Sequence, residues 1–157
     1  MIYLGRTSKK YDIEEEIDEI WYIVRSIGKY EGSIDNKRTK WVYDLSPQNE
    51  LFYWHLSMKQ TGNWSREVFD GEFTKRFIGG IITSQAALDS LNKLEELSKS
   101  GRKVLLKCFC DNEVLCHRSI IGGMLMGVGC QVESLERNKC DILDYEKYFK
   151  KYLEAIE

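Results

Sequence analysis

The sequence predicts an α/β protein organised around a mostly parallel sheet. A helical segment that ends at Gly101 runs directly into the apolar residues 104–106, and another helical segment follows, which is the order of a βαβ crossover. Three consecutive apolar residues suit a strand that is buried on both faces of a parallel sheet. The chain has 157 residues, a length typical of one domain, and we predict a single domain over residues 1–157.

Three β-prone runs and one acidic helical pattern make up the first part of the chain. Strands are predicted at residues 2–4, 21–24 and 41–43, and a short helix is predicted between the first two, at residues 12–20. Arg25 follows the second strand directly. Ligands of open α/β sheets bind beyond the carboxyl ends of the strands, so Arg25 is a candidate ligand-binding residue.

The middle of the chain predicts a long loop and three amphipathic helices. Residues 29–39 are polar and basic, as exposed loops often are. The helices are predicted at residues 48–60, at residues 64–78, where a glycine pair ends the segment, and at residues 85–98. The first helix carries an aromatic stripe that includes His55. This spacing is typical of core packing, and His55 is interpreted as a structural histidine.

The last part of the chain predicts one further helix and strand and a closing helix. The helix is predicted at residues 119–126, the strand at residues 130–135 and the closing amphipathic helix at residues 144–156. Cys130 and Cys140 stand apart from the other cysteines, and neither is assigned a role.

Three of the five cysteines lie within nine positions after the 104–106 strand: Cys108, Cys110 and Cys116. This crowding, with an odd total, fits reduced thiols that have a local purpose better than a disulfide framework. A turn-like DNE segment separates the second cysteine from the third. Cys116, His117 and Arg118 therefore fall at or just before a helix N-terminus.

The helix N-terminus after Cys116 is predicted to receive an anion. Free backbone N–H groups and the positive end of the helix dipole favour negative charge there. Arg118 and the N–H groups of Ser119 and Ile120 would contact a phosphate, helped by Arg25 from the other strand end.

The order of segments from Leu45 onward resembles a known family. The stretches that carry the resemblance are LSPQNELFYW, then NWSREVFDGEFTKRF, then the leucine-rich helix, then KVLLKCFCDNEVLCHRSIIGGML. They resemble the domain-of-unknown-function family 488 (DUF488) and its phage-borne relatives, in which a strand ends in a cysteine and a Cys-His-Arg turn opens the next helix. Many members carry an acidic residue two places after the first cysteine, where this chain has Cys110. The resemblance implies a Rossmann-like three-layer fold and no settled activity.

The first functional hypothesis is a pocket for an anionic small molecule, most naturally a nucleotide or a nucleotide-derived signal. Aromatic side chains such as Tyr30 or Trp41 would cover its base. A non-enzymatic form of this hypothesis is a phage protein that sequesters a host signalling nucleotide or inhibits a host protein. No cofactor is predicted.

The second hypothesis is an enzyme that uses Cys110 or Cys116 as a nucleophile and His117 as a base. A thiol near a helix N-terminus and beside an arginine has its thiolate favoured. Seven residues separate Cys110 from the arginine of the Cys-His-Arg turn, so the shorter spacing of a phosphatase-type loop is absent. The nearby carboxylates are those of Asp111 and Glu113.

Two further interpretations fit the same residues. In a zinc-binding structural domain the ligands would be Cys108, Cys110, Cys116 and His117. Adjacent Cys116 and His117 are hard to bring to one ion and paired Cys-x-x-Cys knuckles are absent, so no metal is predicted. In a purely structural interpretation the cysteines are core residues and Arg118 ties down the loop through backbone carbonyls.

Composition narrows the class of partner. A net charge of -2 gives no global attraction to nucleic acid, so a nucleic-acid partner is not expected despite the basic residues 37–40. Residues 1–7 lack a signal-peptide pattern, and no apolar run approaches the roughly 20 residues of a membrane span. We therefore expect a cytoplasmic protein with a small-molecule anion as its partner and no membrane contact. The oligomeric state is not predicted.

Overall fold

The chain forms a five-stranded sheet in which all paired strands are parallel. The computed structural model describes residues 1–35, 37–110, 115–136 and 141–157, without the side chains of residues 141–144. In chain order the strands are β1 (Ile2–Arg6), β2 (Glu19–Tyr22), β3 (Thr39–Trp41), β4 (Val104–Cys108) and β5 (Val132–Ser134). Their spatial order is β3-β2-β4-β1-β5. Asp111 and Glu113, the carboxylates near the cysteines in the sequence, lie outside the described residues, as does Cys140.

Strand β4 lies at the centre of the sheet. It pairs with β1 on one side and β2 on the other, and all five of its residues are buried. Leu106 lies opposite Leu4 of β1 and Trp21 of β2. The prediction that residues 104–106 form a strand buried on both faces is confirmed.

Helices flank this sheet in the Rossmann-like three-layer arrangement that the family resemblance implied, so that fold class is confirmed. The helices are α1 (Asn49–Gln60), α2 (Arg66–Val68), α3 (Thr74–Ile82), α4 (Gln85–Lys99), α5 (His117–Gly127) and α6 (Asp141–Ile156). A π-helical turn at Phe69–Phe73 joins α2 to α3. Short 3-10 turns occupy Gly28–Ser33, inside the predicted long loop, and Tyr43–Leu45.

The predicted helix at residues 12–20 is wrong over much of its length. A 3-10 turn forms only at Asp12–Glu16, and β2 begins at Glu19. The backbone N–H groups of Asp18 and Glu19 donate to the carbonyl oxygen of Lys103 at 2.8 and 3.2 Å. Pairing with the residue before β4 therefore outweighs the helical preference of a short acidic run.

The predicted end of the second helix at residue 78 is also wrong, because Gly79 and Gly80 lie inside α3. A Cβ atom at Gly80 would lie 3.2 Å from Nε2 of Gln48, so glycine allows a close approach there. Ile81, just beyond the pair, is 3% exposed. Burying one isoleucine contributes about 1.5–3 kcal/mol, which can offset the cost of about 2 kcal/mol for two glycines within a helix. The helix therefore continues past the pair.

Other boundaries shift by a few residues, and one shift affects the site. The helix predicted at residues 119–126 begins at His117, so Cys116 becomes its N-cap residue. The strands predicted at 21–24 and 41–43 are found two residues earlier, as β2 and β3.

Helix α5 is buried along most of its length, from His117 to Leu125. A Cβ atom at Gly123 would lie 2.7 Å from the carbonyl oxygen of Tyr145 in α6, so glycine permits close packing of the two helices. This packing fixes the N-terminus of α5 against the end of β4. Within the described residues, no helix combines the length and the apolar character that crossing a membrane requires.

Candidate functional site

The candidate site lies where β2 and β4 end and α5 begins. After β2 the chain continues through Ile23 and Val24 to Arg25, and β4 ends at Cys108. The N–H group of Ile23 donates to the carbonyl oxygen of Lys107 at 3.0 Å, which holds the two strand ends side by side. The two segments that the sequence singled out therefore meet at one edge of the sheet.

Three thiols form a compact group at this edge, hereafter the thiol cluster: Cys108, Cys110 and Cys116. The Sγ atom of Cys108 lies 3.3 Å from that of Cys116 and 3.8 Å from that of Cys110. All three sulphur atoms lie within 4.8 Å of one another. Cys108 and Cys116 are buried and Cys110 is half-buried. The cluster forms because α5 docks its N-cap residue onto the end of β4.

His117 completes this group. Its Nδ1 atom lies 3.7 Å from Sγ of Cys108 and 3.8 Å from Sγ of Cys116. Its Nε2 atom lies 2.7 Å from the carbonyl oxygen of Ile23. Because a carbonyl oxygen can only accept, Nε2 carries the ring proton when the ring is neutral, and the Nδ1 lone pair faces the sulphur atoms.

The thiols hold their protons tightly. The hydrogen bond with Cys110, together with burial, raises the pKa of the Cys108 thiol to about 12. For Cys110, the hydrogen bond with Cys108 lowers the pKa, but contact with Cys116 and burial outweigh it and raise the pKa to about 12. Thiols with such pKa values are protonated at neutral pH, and the thiolate is the reactive form. The cluster as it stands is therefore a weak source of nucleophile.

An apolar pocket of about 220 Å³ opens beside the thiol cluster. Cys108, Cys110 and His117 line it on the side of the sheet, and Arg25 lines it at the end of β2. Its remaining wall is mostly aromatic, with Phe52, His55, Trp64, Phe73 and Phe109. A cavity of this size with aromatic walls suits a flat ring.

Arg25, in this wall, has a donor that no described residue accepts. Its guanidinium lies 4.1 Å above the ring of Phe52, and one of its terminal nitrogens donates to Oδ1 of Asn49. The Nε atom is buried and has no hydrogen-bond partner within the part of the chain that the structure describes. A buried N–H of a charged group without an acceptor is unfavourable, and an anion would satisfy it.

His55, which the sequence pattern predicts to be a structural histidine, lines the apolar pocket. Its ring packs 4.8 Å from that of Trp64, and Nδ1 lies 3.2 Å from the carbonyl oxygen of Phe52. Burial, with the nearby charge of Lys59, lowers its pKa, so the ring is neutral at neutral pH. The aromatic stripe of α1 does not reveal that His55 lines a pocket, because a core face and a pocket wall have the same residue spacing.

Arg118 and Ser119 do not line the pocket. Arg118 is fully buried, and its Nη1 atom donates to the carbonyl oxygen of Cys110 at 2.9 Å. The hydroxyl and the backbone N–H of Ser119 both donate to the carbonyl oxygen of Cys116, at 2.7 and 3.0 Å. Of the predicted site residues, Arg25, Cys110 and His117 line the pocket, whereas Cys116, Arg118 and Ser119 do not.

A more polar cavity of about 390 Å³ adjoins the apolar pocket and is hereafter the polar groove. The two share Ser26 and Phe109 as lining residues, and the groove adds Thr7, Ser8 and Lys29 among others. Tyr30, predicted to cover a base, lines this groove and packs against Phe109 with ring centroids 5.8 Å apart. Trp41 lines neither cavity.

Comparison with known proteins supports the family resemblance. No curated protein and no solved structure matches the chain. The family DUF488-N3a, described as the active DUF488-N3 subclade, matches residues 6–129, which include every strand end that contributes to the site. The match covers most of the chain, and the chain therefore belongs to the DUF488-N3a family.

Proposed function

We propose that the protein binds a nucleotide-like anion, with a flat ring in the apolar pocket and a phosphate at Arg25. The observation that carries this proposal concerns Arg25, whose side chain lines the pocket and whose buried Nε atom has no acceptor among the described residues. Phosphate and carboxylate oxygens are the acceptors that a guanidinium recognises most strongly.

The division of polarity between the two cavities supports the same ligand class. The apolar pocket offers ring faces, whereas the polar groove offers hydroxyl groups and the ammonium of Lys29. Arg25 and Ser26 lie where the two cavities meet. A ligand with a base at one end and phosphate at the other matches this order.

The thiol cluster and His117 lie against the ring site, so a reaction on the ligand is part of the proposal. The description of the family as an active subclade supports it. The raised pKa values of Cys108 and Cys110 favour binding over covalent attack by these thiols. Free thiols are typical of cytosolic proteins, so a cytoplasmic location is part of the proposal.

The test measures binding affinity by isothermal titration calorimetry of the full chain. The ligands are AMP, GMP, CMP and UMP, with adenosine and inorganic phosphate as partial ligands. We expect at least one nucleotide to bind more tightly than adenosine or phosphate alone. Arg25→Gln should weaken that nucleotide roughly 10- to 100-fold, the worth of a charged hydrogen bond. The affinity for adenosine should change little.

Two further variants separate the parts of the proposed site. Phe109→Leu, at the shared rim of both cavities, should weaken nucleotide and nucleoside alike. Arg102→Gln is the matched control, because Arg102 is half-exposed and pairs only loosely with Asp18 at 3.8 Å, away from the pocket. If no nucleotide binds, or if Arg25→Gln and Arg102→Gln behave alike, the proposal is wrong.

Recovery of the ligand distinguishes processing from sequestration. The bound nucleotide is released by denaturation and its mass is measured before and after incubation. An altered nucleotide that the wild-type chain produces and Cys110→Ala does not would establish an enzyme. An unchanged nucleotide would instead support a protein that sequesters its ligand, such as a phage protein acting on a host signal.

A further inference from the structure

We propose that the thiol cluster and His117 form a binding site for one Zn²⁺ ion. The three Sγ atoms of the cluster and Nδ1 of His117 are the ligands. This site rests on side-chain geometry alone and is independent of the nucleotide proposed above.

The spacing of the sulphur atoms fits a zinc thiolate centre. A tetrahedral ion with Zn–S bonds of about 2.3 Å holds its sulphur ligands about 3.8 Å apart. Sγ of Cys108 lies 3.8 Å from that of Cys110 and 3.3 Å from that of Cys116, and no pair in the cluster exceeds 4.8 Å. Small side-chain rotations therefore suffice to place an ion between the three.

His117 presents the correct nitrogen. With a Zn–N bond of about 2.0 Å, a ligating nitrogen lies about 3.5 Å from a ligating sulphur. Nδ1 of His117 lies 3.7 and 3.8 Å from the sulphur atoms of Cys108 and Cys116. Its other ring nitrogen donates to the Ile23 carbonyl oxygen, and a backbone carbonyl is a usual partner for the second nitrogen of a metal-bound histidine.

The start of α5 explains how sequence neighbours reach one ion. Cys116 is the N-cap residue with an extended backbone (φ -120, ψ 142), whereas His117 is the first residue of the helix. The chain changes direction between the two, and both side chains turn toward Cys108. The difficulty that adjacency raised for the sequence-based prediction is thereby removed.

Charge and ligand chemistry also favour zinc. Three thiolates and one Zn²⁺ leave one net negative charge, and each thiol gives its proton to solvent as it binds. The guanidinium of Arg118 is fully buried against the carbonyl oxygen of Cys110 and offsets that charge. Sulphur and imidazole ligands suit Zn²⁺, whereas Mg²⁺ and Ca²⁺ require oxygen.

The test measures the zinc content and the Co²⁺ absorption spectrum of the full chain, which is purified with a reductant and without a chelator. We expect one Zn²⁺ per chain by elemental analysis. After exchange with Co²⁺, we expect an intense thiolate-to-cobalt charge-transfer band together with the visible bands of a tetrahedral ion. A Co²⁺ spectrum without the charge-transfer band, or a chain that does not bind Zn²⁺, would overturn the proposal.

Variants assign the ligands. Cys110→Ala changes the half-buried thiol, which tolerates truncation best, and should lower zinc affinity at least about tenfold. Cys130→Ala is the matched control, because Cys130 is also a free thiol but lies outside the cluster. Equal zinc binding by these two variants would overturn the site.

His117→Gln tests the fourth ligand. It should keep the charge-transfer band of the thiolates and shift the visible bands, and an unchanged spectrum would remove His117 from the site. The wild-type spectrum is informative by itself, so the test survives any variant that fails to fold. None of these measurements involves a nucleotide, and failure here leaves the proposed nucleotide site untouched.

Discussion

Two cations lie at the same edge of the sheet and differ in how their donors are used. Lys107 of β4 is 4% exposed, and its Nζ atom has an acceptor for every proton. Those acceptors are Oε1 and Oε2 of Glu14, at 3.1 and 3.2 Å, and the carbonyl oxygen of Lys9, at 3.0 Å. Arg25, which follows the neighbouring strand, keeps a buried Nε atom with no partner among the described residues.

This difference in donor use distinguishes a lysine that stabilises the fold from an arginine that is available to bind a ligand. A buried charge whose donors are all satisfied holds its surroundings together, whereas a buried donor without an acceptor stabilises nothing until a ligand arrives. Lys107 ties the turn at Asp12–Glu16 to the centre of the sheet. Arg25 is available to an anion in the apolar pocket.

Lys107→Met should have the largest effect on stability. It leaves the carboxylate of Glu14 buried without its cation, and breaking a buried pair in this way costs about 3–5 kcal/mol. Urea unfolding followed by circular dichroism measures the loss. The double variant Lys107→Met/Glu14→Leu should recover much of it, since no unpaired charge remains. A loss below about 1 kcal/mol would show that water reaches the pair.

Asp70→Asn should have an intermediate effect, because Asp70 is partly exposed but well partnered. Lys147 and the hydroxyl of Tyr148 donate to its carboxylate at 2.7 and 2.9 Å, and Lys151 donates to its carbonyl oxygen. Weakening the charged hydrogen bonds should lower the free energy of unfolding by about 1–3 kcal/mol. Urea unfolding at neutral pH measures it. Lys59→Gln, at an exposed position on α1, is a control that should change little.

The same variant should change the pH dependence of stability. Burial alone would raise the pKa of Asp70, but the hydrogen bonds from Lys147 and Tyr148 lower it below the usual 3.8. The stabilisation is therefore complete above pH 3.8 and is lost as the pH falls through the lower folded-state pKa. Wild-type and Asp70→Asn stabilities should converge in strongly acidic solution, and a constant difference would contradict this.

Arg25→Gln should have the smallest effect on stability and a large one on binding. It removes an unsatisfied donor, a stacking contact with Phe52 and an exposed hydrogen bond to Asn49. We expect the free energy of unfolding to change by less than about 1 kcal/mol. Thermal unfolding without ligand measures this. If Arg25→Gln lowered the free energy of unfolding as much as Lys107→Met does, Arg25 would be a structural residue like Lys107, and the contrast between the two would be wrong.

Much of the fold was predictable because its signals are local. The apolar run at residues 104–106 and the helices beside it predicted the central strand and its crossovers. The acidic run at residues 12–20 failed because its fate depends on pairing with Lys103, far along the chain. His55 was interpreted as a core residue because an aromatic stripe looks the same whether it faces packed side chains or a gap.

The sequence by itself determined the order of the elements, the parallel sheet and the edge at which the candidate residues gather, since periodicity and apolar runs act over a few neighbouring positions. Only the tertiary structure decided which side chains meet there. It kept Arg118 and Ser119 out of the pocket lining and left Arg25 at the pocket with a donor that has no acceptor among the described residues. It also brought His117 against the carbonyl of Ile23, so that its Nδ1 atom faces the sulphur atoms of Cys108 and Cys116. These are distances between remote residues, and they are set by how α5 packs between the sheet and α6.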